Sequence, residues 1–180
     1  ALMKSACSDR HTHESKLFKN IWDTLKSGDL LLADRGFCSF AAFAGLLARG
    51  VDSLMRLPEK KIRKAIGLQL PKTANFDVIV KWKCPTQRDM KMVSAEFDLL
   101  PESLLVRVVR YTITQSGFRT QTVTLVTTLL DAVIPAAEVA ELYFRRWSIE
   151  LHFREIKVYL KMDVLRCLTP HMIERELRMH

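Results

Sequence analysis

Four residues in one stretch of the chain, Tyr143, Arg146, Glu150 and Lys157, offer a phenol, two cations and a carboxylate. A helix turns about 100° per residue, so offsets of 3, 7 and 14 from Tyr143 bring the other three back to within about 60° of its direction. The result is a single polar stripe about four turns long. Arg presents a planar, bidentate fork to phosphate, and Lys presents a mobile point charge. A phenol can hydrogen-bond a phosphate without adding charge. Groups set one or two turns apart could therefore track a polyanionic strand laid along the helix. The spacing also allows a plainer account. Arg146 and Glu150 at i, i+4 form an ordinary surface ion pair, worth about 0.3–0.5 kcal/mol. Spacing alone does not separate the two.

The elements around the stripe must position it. Leu142, Ile149, Phe153, Ile156 and Leu160 recur at helical period beside it, which predicts that one face of the helix is buried. Pro135 fits the first turn, and the helix is expected to run through Lys161. Thr169-Pro170 then opens a last helix. Near the other end, Ser15–Lys26 reads as an amphipathic helix stopped at Ser27-Gly28. The apolar run from Asp29 to Asp34 reads as a buried strand. "RGFCS" reads as a turn, Ser39 as the cap of a helix over Phe40–Arg49 that Gly50 ends, and Val51–Leu57 as a second strand. Strand, helix, strand with short links is a βαβ unit with a parallel pair. Asp34 then lies at the C-terminal end of a buried strand, where ligands and chemistry collect in open α/β sheets. A turn-forming aspartate before Gly36 fits the local sequence equally well.

After Leu57 the pattern changes. Glu59–Ile66 could form two helical turns. Prolines then punctuate the chain, and Phe76–Trp82, Leu104–Tyr111 and Thr122–Leu130 read as antiparallel strands. From Arg56 to Lys91 there are ten Lys or Arg against three Asp or Glu. That surplus suits a polyanion, although a solvated basic surface has the same composition. Within it, Lys81-Trp82-Lys83 sets an aromatic between cations. Base stacking on such a ring contributes about 1–3 kcal/mol, while a Trp packed between sheet and helix would look the same in sequence.

The chain has 180 residues, is 48% apolar and carries a net charge of +8. This suits one compact domain, or most of one. There is no low-complexity tract or internal repeat, no apolar run able to span a bilayer, and no signal-peptide pattern, so the reading is an intracellular protein. Cys7, Cys38, Cys84 and Cys167 are far apart and form no C-x-x-C pair, which favours reduced thiols over a zinc site. Cys7, His11 and His13 cluster near the start, as a metal site or as polar coil.

Taken together, the spacing Tyr143-x2-Arg146-x3-Glu150-x6-Lys157, "GDLLLADRGFCSF" over Gly28–Phe40, "LYFRRWSIELHFREIK" and "MDVLRCLTPHMIERELRMH" resemble the bacterial insertion-sequence transposases of the insertion-sequence-four family, with their Y-R-E-K signature. The resemblance covers essentially the whole chain. It implies an α/β fold with an RNase H-like mixed sheet, helices and a β-rich insertion, and a D-D-E site that cuts the ends of an insertion sequence and joins them to target DNA. It implies two divalent ions, usually Mg²⁺, which prefers oxygen ligands. Carried over by position, Asp34 matches the second Asp and Glu150 the Glu, both as metal ligands. Tyr143, Arg146 and Lys157 match the residues that handle DNA phosphates, and Trp82 is a candidate for holding a flipped base. A homodimer, a cytoplasmic, nucleoid-associated location and no membrane are implied with them.

The implied organisation is a partial core over residues 1–57, a basic β-rich insertion over 58–133 and the C-terminal helices of the core over 134–180. The family's first Asp has no good match. Asp9, Glu14, Asp23 and Asp29 precede Asp34, but none ends a convincing early strand, and Asp29 lies roughly 16 Å from Asp34 along a strand. The expectation is a truncated transposase missing its first strands, with little or no cleavage of its own. The alternatives are a non-catalytic DNA-binding remnant and another RNase H-like nuclease.

Overall fold

The structure is a computed structural model that describes residues 14–57, 66, 69–86, 94–113, 120–159, 167 and 169–179. The expected helix at Glu59–Ile66, the end of the stripe helix at Leu160 and Lys161, and the Cys7, His11 and His13 cluster lie outside the described residues. The chain forms two compact units. One is Ser27–Tyr143, and the other combines the chain through Lys26 with the chain from Phe144.

The Ser27–Tyr143 unit is built on one five-stranded mixed sheet. Its strands are β1 (Leu30–Ala33), β2 (Asp52–Arg56), β3 (Phe76–Lys83), β4 (Ser103–Ile113) and β5 (Gln121–Thr127), in the order β1-β2-β5-β4-β3. β1 and β2 are parallel, and every other pair is antiparallel. The strands of the expected insertion thus extend the same sheet that carries the βαβ unit. They join it where β5 pairs with β2, through Leu54 with Thr127 and Arg56 with Leu125. β2 buries Ser53, Leu54 and Met55 in succession, as a strand covered on both faces must.

The crossover between β1 and β2 follows the local sequence. The Ser39 side chain accepts a hydrogen bond from the Ala42 N–H at 3.2 Å and caps helix α2 (Phe40–Leu47), satisfying one donor of its first turn. Gly50, at φ +70°, ends it. The Val51 N–H returns to the Leu46 carbonyl at 3.0 Å, closing the helix end in the way a left-handed glycine permits. A Cβ at Gly50 would collide with the Ser27 side chain, so this position requires glycine on two counts.

Register assigns the side chains to two faces. Trp82, Val106, Val108, Val126 and Met55 share one face. There the Phe40 and Phe43 rings of α2 pack on Trp82 with centroids 5.8 Å and 5.6 Å away. Leu54, Val109, Val123 and Leu125 share the other face. They form a core cluster with Val139 and Tyr143 of helix α4 (Ala136–Tyr159), against which Leu30, Leu32, Tyr111 and Leu142 also pack. A short helix, α3 (Ser94–Asp98), precedes β4. On the free edge of β3, the Gln69 side-chain amide donates to the Lys81 carbonyl at 2.8 Å and accepts from its N–H at 3.0 Å. That closes part of an edge otherwise able to pair with another strand.

The second unit is helical. Helix α1 (Glu14–Lys19) is shorter than expected and gives way to a 3-10 turn at Trp22–Thr24. The Thr24 hydroxyl donates to the Ile21 carbonyl at 2.6 Å, a local bond that competes with continued helix. Phe18 and Trp22 meet edge to face at 5.6 Å. The unit also contains the later turns of α4 and helix α5 (Pro170–Met179), which starts at the expected Thr169-Pro170.

Candidate active site

Asp34 follows the last residue of β1 and is exposed. Its backbone, at φ −75° and ψ 164°, is still extended, so the strand's alternation carries one residue further. A 3-10 turn, Arg35–Phe37, then redirects the chain and lies against β2. Leu30 and Leu32 pack on the face that the first turns of α4 cover, and Asp34, two residues further in extended backbone, continues their alternation.

The parallel register fixes the neighbour of Asp34. Leu30 aligns with Asp52 and Ala33, the last paired residue of β1, with Met55, so continuing that register by one residue sets Asp34 level with Arg56. Arg56 aligns with Leu125 in β5, and Tyr111 aligns with Val123. Arg56 and Tyr111 therefore occupy the same face and the same end of the sheet as Asp34. Burial raises the Tyr111 phenol above the usual tyrosine range. Tyr143 adds to that, and the positive charge of Arg56 partly opposes it. Tyr111 is thus close enough to both Tyr143 and Arg56 for each to act on its phenol through space.

Tyr143 is 8% exposed and belongs to the core cluster. Arg146 is half-buried. α4 is an unbroken helix through Glu150 and Lys157, so the backbone places all four signature positions on one side of it. Tyr143 belongs to the sheet unit, while Arg146, Glu150 and Lys157 belong to the helical unit. Within the sheet unit, register sets Asp34, Arg56 and Tyr111 on one face and at one end, and Tyr143 lies near enough to act on Tyr111.

Trp82 is 4% exposed and enclosed by Phe40 and Phe43. Lys81 and Lys83, its neighbours, are exposed and face the opposite side of the sheet. The packed reading of this residue, weighed above, describes its position; the ring has no free face on which a base could stack.

Arg56 and Tyr111 were not among the residues singled out from sequence. Each looks like part of an ordinary strand, and only strand register sets them beside Asp34. The signal available in sequence was that two short apolar runs, each beginning a few residues after a glycine, are followed by Asp34 in one case and closed by Arg56 in the other.

The donor chemistry at Asp34 suits a hard divalent cation, which takes carboxylate oxygens and leaves room for water and phosphate. Among the described residues, no group of three or more His, Cys, Asp or Glu side chains gathers in a metal-binding cluster. Asp34 can therefore supply one ligand of such an ion, and the rest must come from elsewhere in the chain, from water or from a phosphate. Among the described residues no helix is long and apolar enough to cross a membrane.

Comparison with known proteins agrees with this architecture. The model of the transposase DDE domain family matches residues 2–180, and the chain belongs to that family. Its mixed α/β sheet is consistent with the RNase H-like fold of such enzymes. The chain is 27% identical over 179 residues to the transposase InsG for insertion sequence element IS4 of Escherichia coli. That match covers 98% of this chain and 38% of the relative, so the chain spans well under half the length of the relative it matches.

Proposed function

We propose that this chain carries part of the catalytic centre of an insertion-sequence transposase, with Asp34 and Glu150 as two of three carboxylates that hold divalent metal. The observation that carries the reading is the placement of Asp34. It stands exposed at the C-terminal end of a parallel strand, in a chain whose family match runs from residue 2 to residue 180. The single helix that spans Tyr143, Arg146, Glu150 and Lys157 supports the reading as well.

The substrate class is DNA, at the ends of the element and at its target. Bound Mg²⁺ ions would supply activation of the attacking oxygen and stabilisation of the leaving one. The protein's own residues have separable tasks. Asp34 and Glu150 supply hard oxygen ligands. Arg146 and Lys157 offer positive charge to backbone phosphates from the same side of α4. Tyr143, buried against Leu54 and Val139, packs the start of that helix on the sheet. Trp82 is left out of this set because its ring is enclosed. A homodimer acting on two ends fits the reading of the complete enzyme.

Two of three carboxylates do not complete the site, so the 180-residue chain alone is expected to bind DNA and to cut it very weakly or not at all. The test is cleavage of a supercoiled plasmid that carries the genomic DNA flanking this coding sequence, with Mg²⁺ present. The enzyme is the longest reading frame that contains these residues. Site-specific nicks lost in both Asp34→Asn and Glu150→Gln are the expected result. Nicking that survives both substitutions contradicts the assignment, and robust cutting by the 180-residue chain alone contradicts the incomplete site.

A further inference from the structure

One step beyond the last pair of the β1–β2 ladder, Ala33 with Met55, Asp34 and Arg56 end their strands side by side in register, and among the described residues the charge of Arg56 acts only on the Tyr111 phenol. Among the described residues its guanidinium makes no hydrogen bond or ion pair. It is half-buried at the end of β2. A guanidinium carries five donors in a fixed fork. Leaving them without protein partners in a partly desolvated place is costly unless a ligand or water meets them. The other two arginines of the sheet are used differently. Arg107 is bound to Asp77 and to the Asp131 carbonyl. Arg110 donates to the Thr124 hydroxyl at 3.0 Å and lies 4.9 Å over the Phe76 ring.

The surroundings narrow the ligand. Tyr111 stands on the same face one strand beyond β5, half-buried, with a neutral hydroxyl that can donate. Asp34 bars a free carboxylate ligand from sitting close without a bridging cation, since like charges repel. An anion held by Arg56 and Tyr111 beside Asp34 must tolerate a carboxylate neighbour, and a phosphodiester does so when a divalent ion or water lies between them.

We infer that Arg56, with Tyr111, forms a phosphodiester-binding site that seats the DNA backbone next to Asp34. The inference rests on the transposase reading and adds to it a cation outside the Tyr143, Arg146 and Lys157 stripe. Arg56 acts by positioning: it takes no part in bond making, and it fixes which phosphate lies against the Asp34 carboxylate.

The experiment measures binding of the 180-residue chain to a 30-base-pair duplex in EDTA across a range of salt, for the wild type, Arg56→Gln and Arg56→Lys. Loss of one phosphate contact flattens the slope of log K against log salt by about 0.9. The expected result for Arg56→Gln is that flattening together with about tenfold weaker binding at low salt. Arg56→Lys recovers the slope, because it restores the charge, but only part of the affinity, because it lacks the fork. Unchanged slope and affinity in Arg56→Gln overturn the site while leaving the transposase reading intact. Absence of wild-type binding at every salt concentration overturns both. Circular dichroism of each variant, with unchanged melting expected, separates lost contact from lost fold. A lower melting temperature in Arg56→Gln that Arg56→Lys does not restore would show that Arg56 is structural and would overturn the site.

Discussion

The β3–β4 side of the sheet and the C-terminal end of β1 and β2 treat the same residue types in opposite ways. On the β3–β4 side Arg107, Arg110 and Trp82 are each occupied by the protein. Arg107 is 4% exposed. Its Nε and one terminal nitrogen donate to the two oxygens of Asp77 at 2.8 Å and 2.6 Å, and the other terminal nitrogen donates to the Asp131 carbonyl at 3.0 Å. That pairing with Asp77 holds the guanidinium even more firmly protonated than usual, against the opposing effect of burial. Trp82 is consumed by Phe40 and Phe43 on the other face. At the strand ends, Asp34 is exposed and Arg56 has no partner among the described residues. Arg56 and Arg107 lie on one face of one sheet, because their β5 partners, Leu125 and Thr127, are two residues apart. The difference separates the Arg107 charge, which the fold uses, from the Arg56 charge, which makes no hydrogen bond or ion pair among the described residues.

Substitutions should respect that division. Trp82→Ala removes a buried indole ring and should cost about 3–5 kcal/mol, measured by urea unfolding. A loss below about 1 kcal/mol would mean that the ring is not packed as described. Asp77→Ala strands the Arg107 guanidinium with one carbonyl. It should cost about 2–4 kcal/mol, toward the lower part of the range for a broken buried pair, because Asp77 is itself about one-third exposed. Arg56→Gln should change stability by no more than about 0.5 kcal/mol, as expected where no protein contact is lost. If Arg56→Gln and Asp77→Ala destabilise equally, the contrast between the two regions fails.

Tyr111 sharpens the contrast by pH. Burial, and then Tyr143, hold its phenol above the ordinary value, while Arg56 pulls the other way. An exposed tyrosine titrates near about 10, so the unfolded chain loses this proton first as pH rises. The stability that Tyr111 contributes is therefore complete below about pH 10 and is lost as pH climbs through its folded value. Ultraviolet titration should show one phenol ionising late in the native protein, and later still in Arg56→Gln. An unchanged Tyr111 titration in that variant would mean that Arg56 is not where the register puts it.

Much of this was legible in sequence, and the parts that were not have physical causes. The Ser39 cap and the Gly50 stop were readable because each solves a local backbone problem with a residue suited to it. Asp34 was readable because a short apolar run bounded by turn residues has few other structures open to it. The Trp82 placement was readable only in part: in Lys81-Trp82-Lys83 the period of two sends the lysines to one face and the ring to the other, but whether the ring's face is packed depends on Phe40 and Phe43, which are distant in sequence. The early helix was overextended because Leu17, Ile21 and Leu25 keep helical period across a turn that Thr24 breaks. Arg56 was not readable at all. Its position beside Asp34 depends on the offset between two parallel strands, and no local pattern encodes that offset.

Asp34 and Glu150, 116 positions apart in the sequence, are proposed above as ligands of divalent metal, and that assignment can be tested directly. Replacing Mg²⁺ with Fe²⁺ and adding ascorbate and peroxide cuts a polypeptide backbone close to the bound ion, and the fragments can be mapped by mass. The account predicts cuts clustered near residue 34 and near residue 150 of the same chain. Excess Mg²⁺ should suppress both, and Asp34→Asn should remove both. Cuts near only one of the two positions, or cuts near residue 150 that persist in Asp34→Asn, would contradict it.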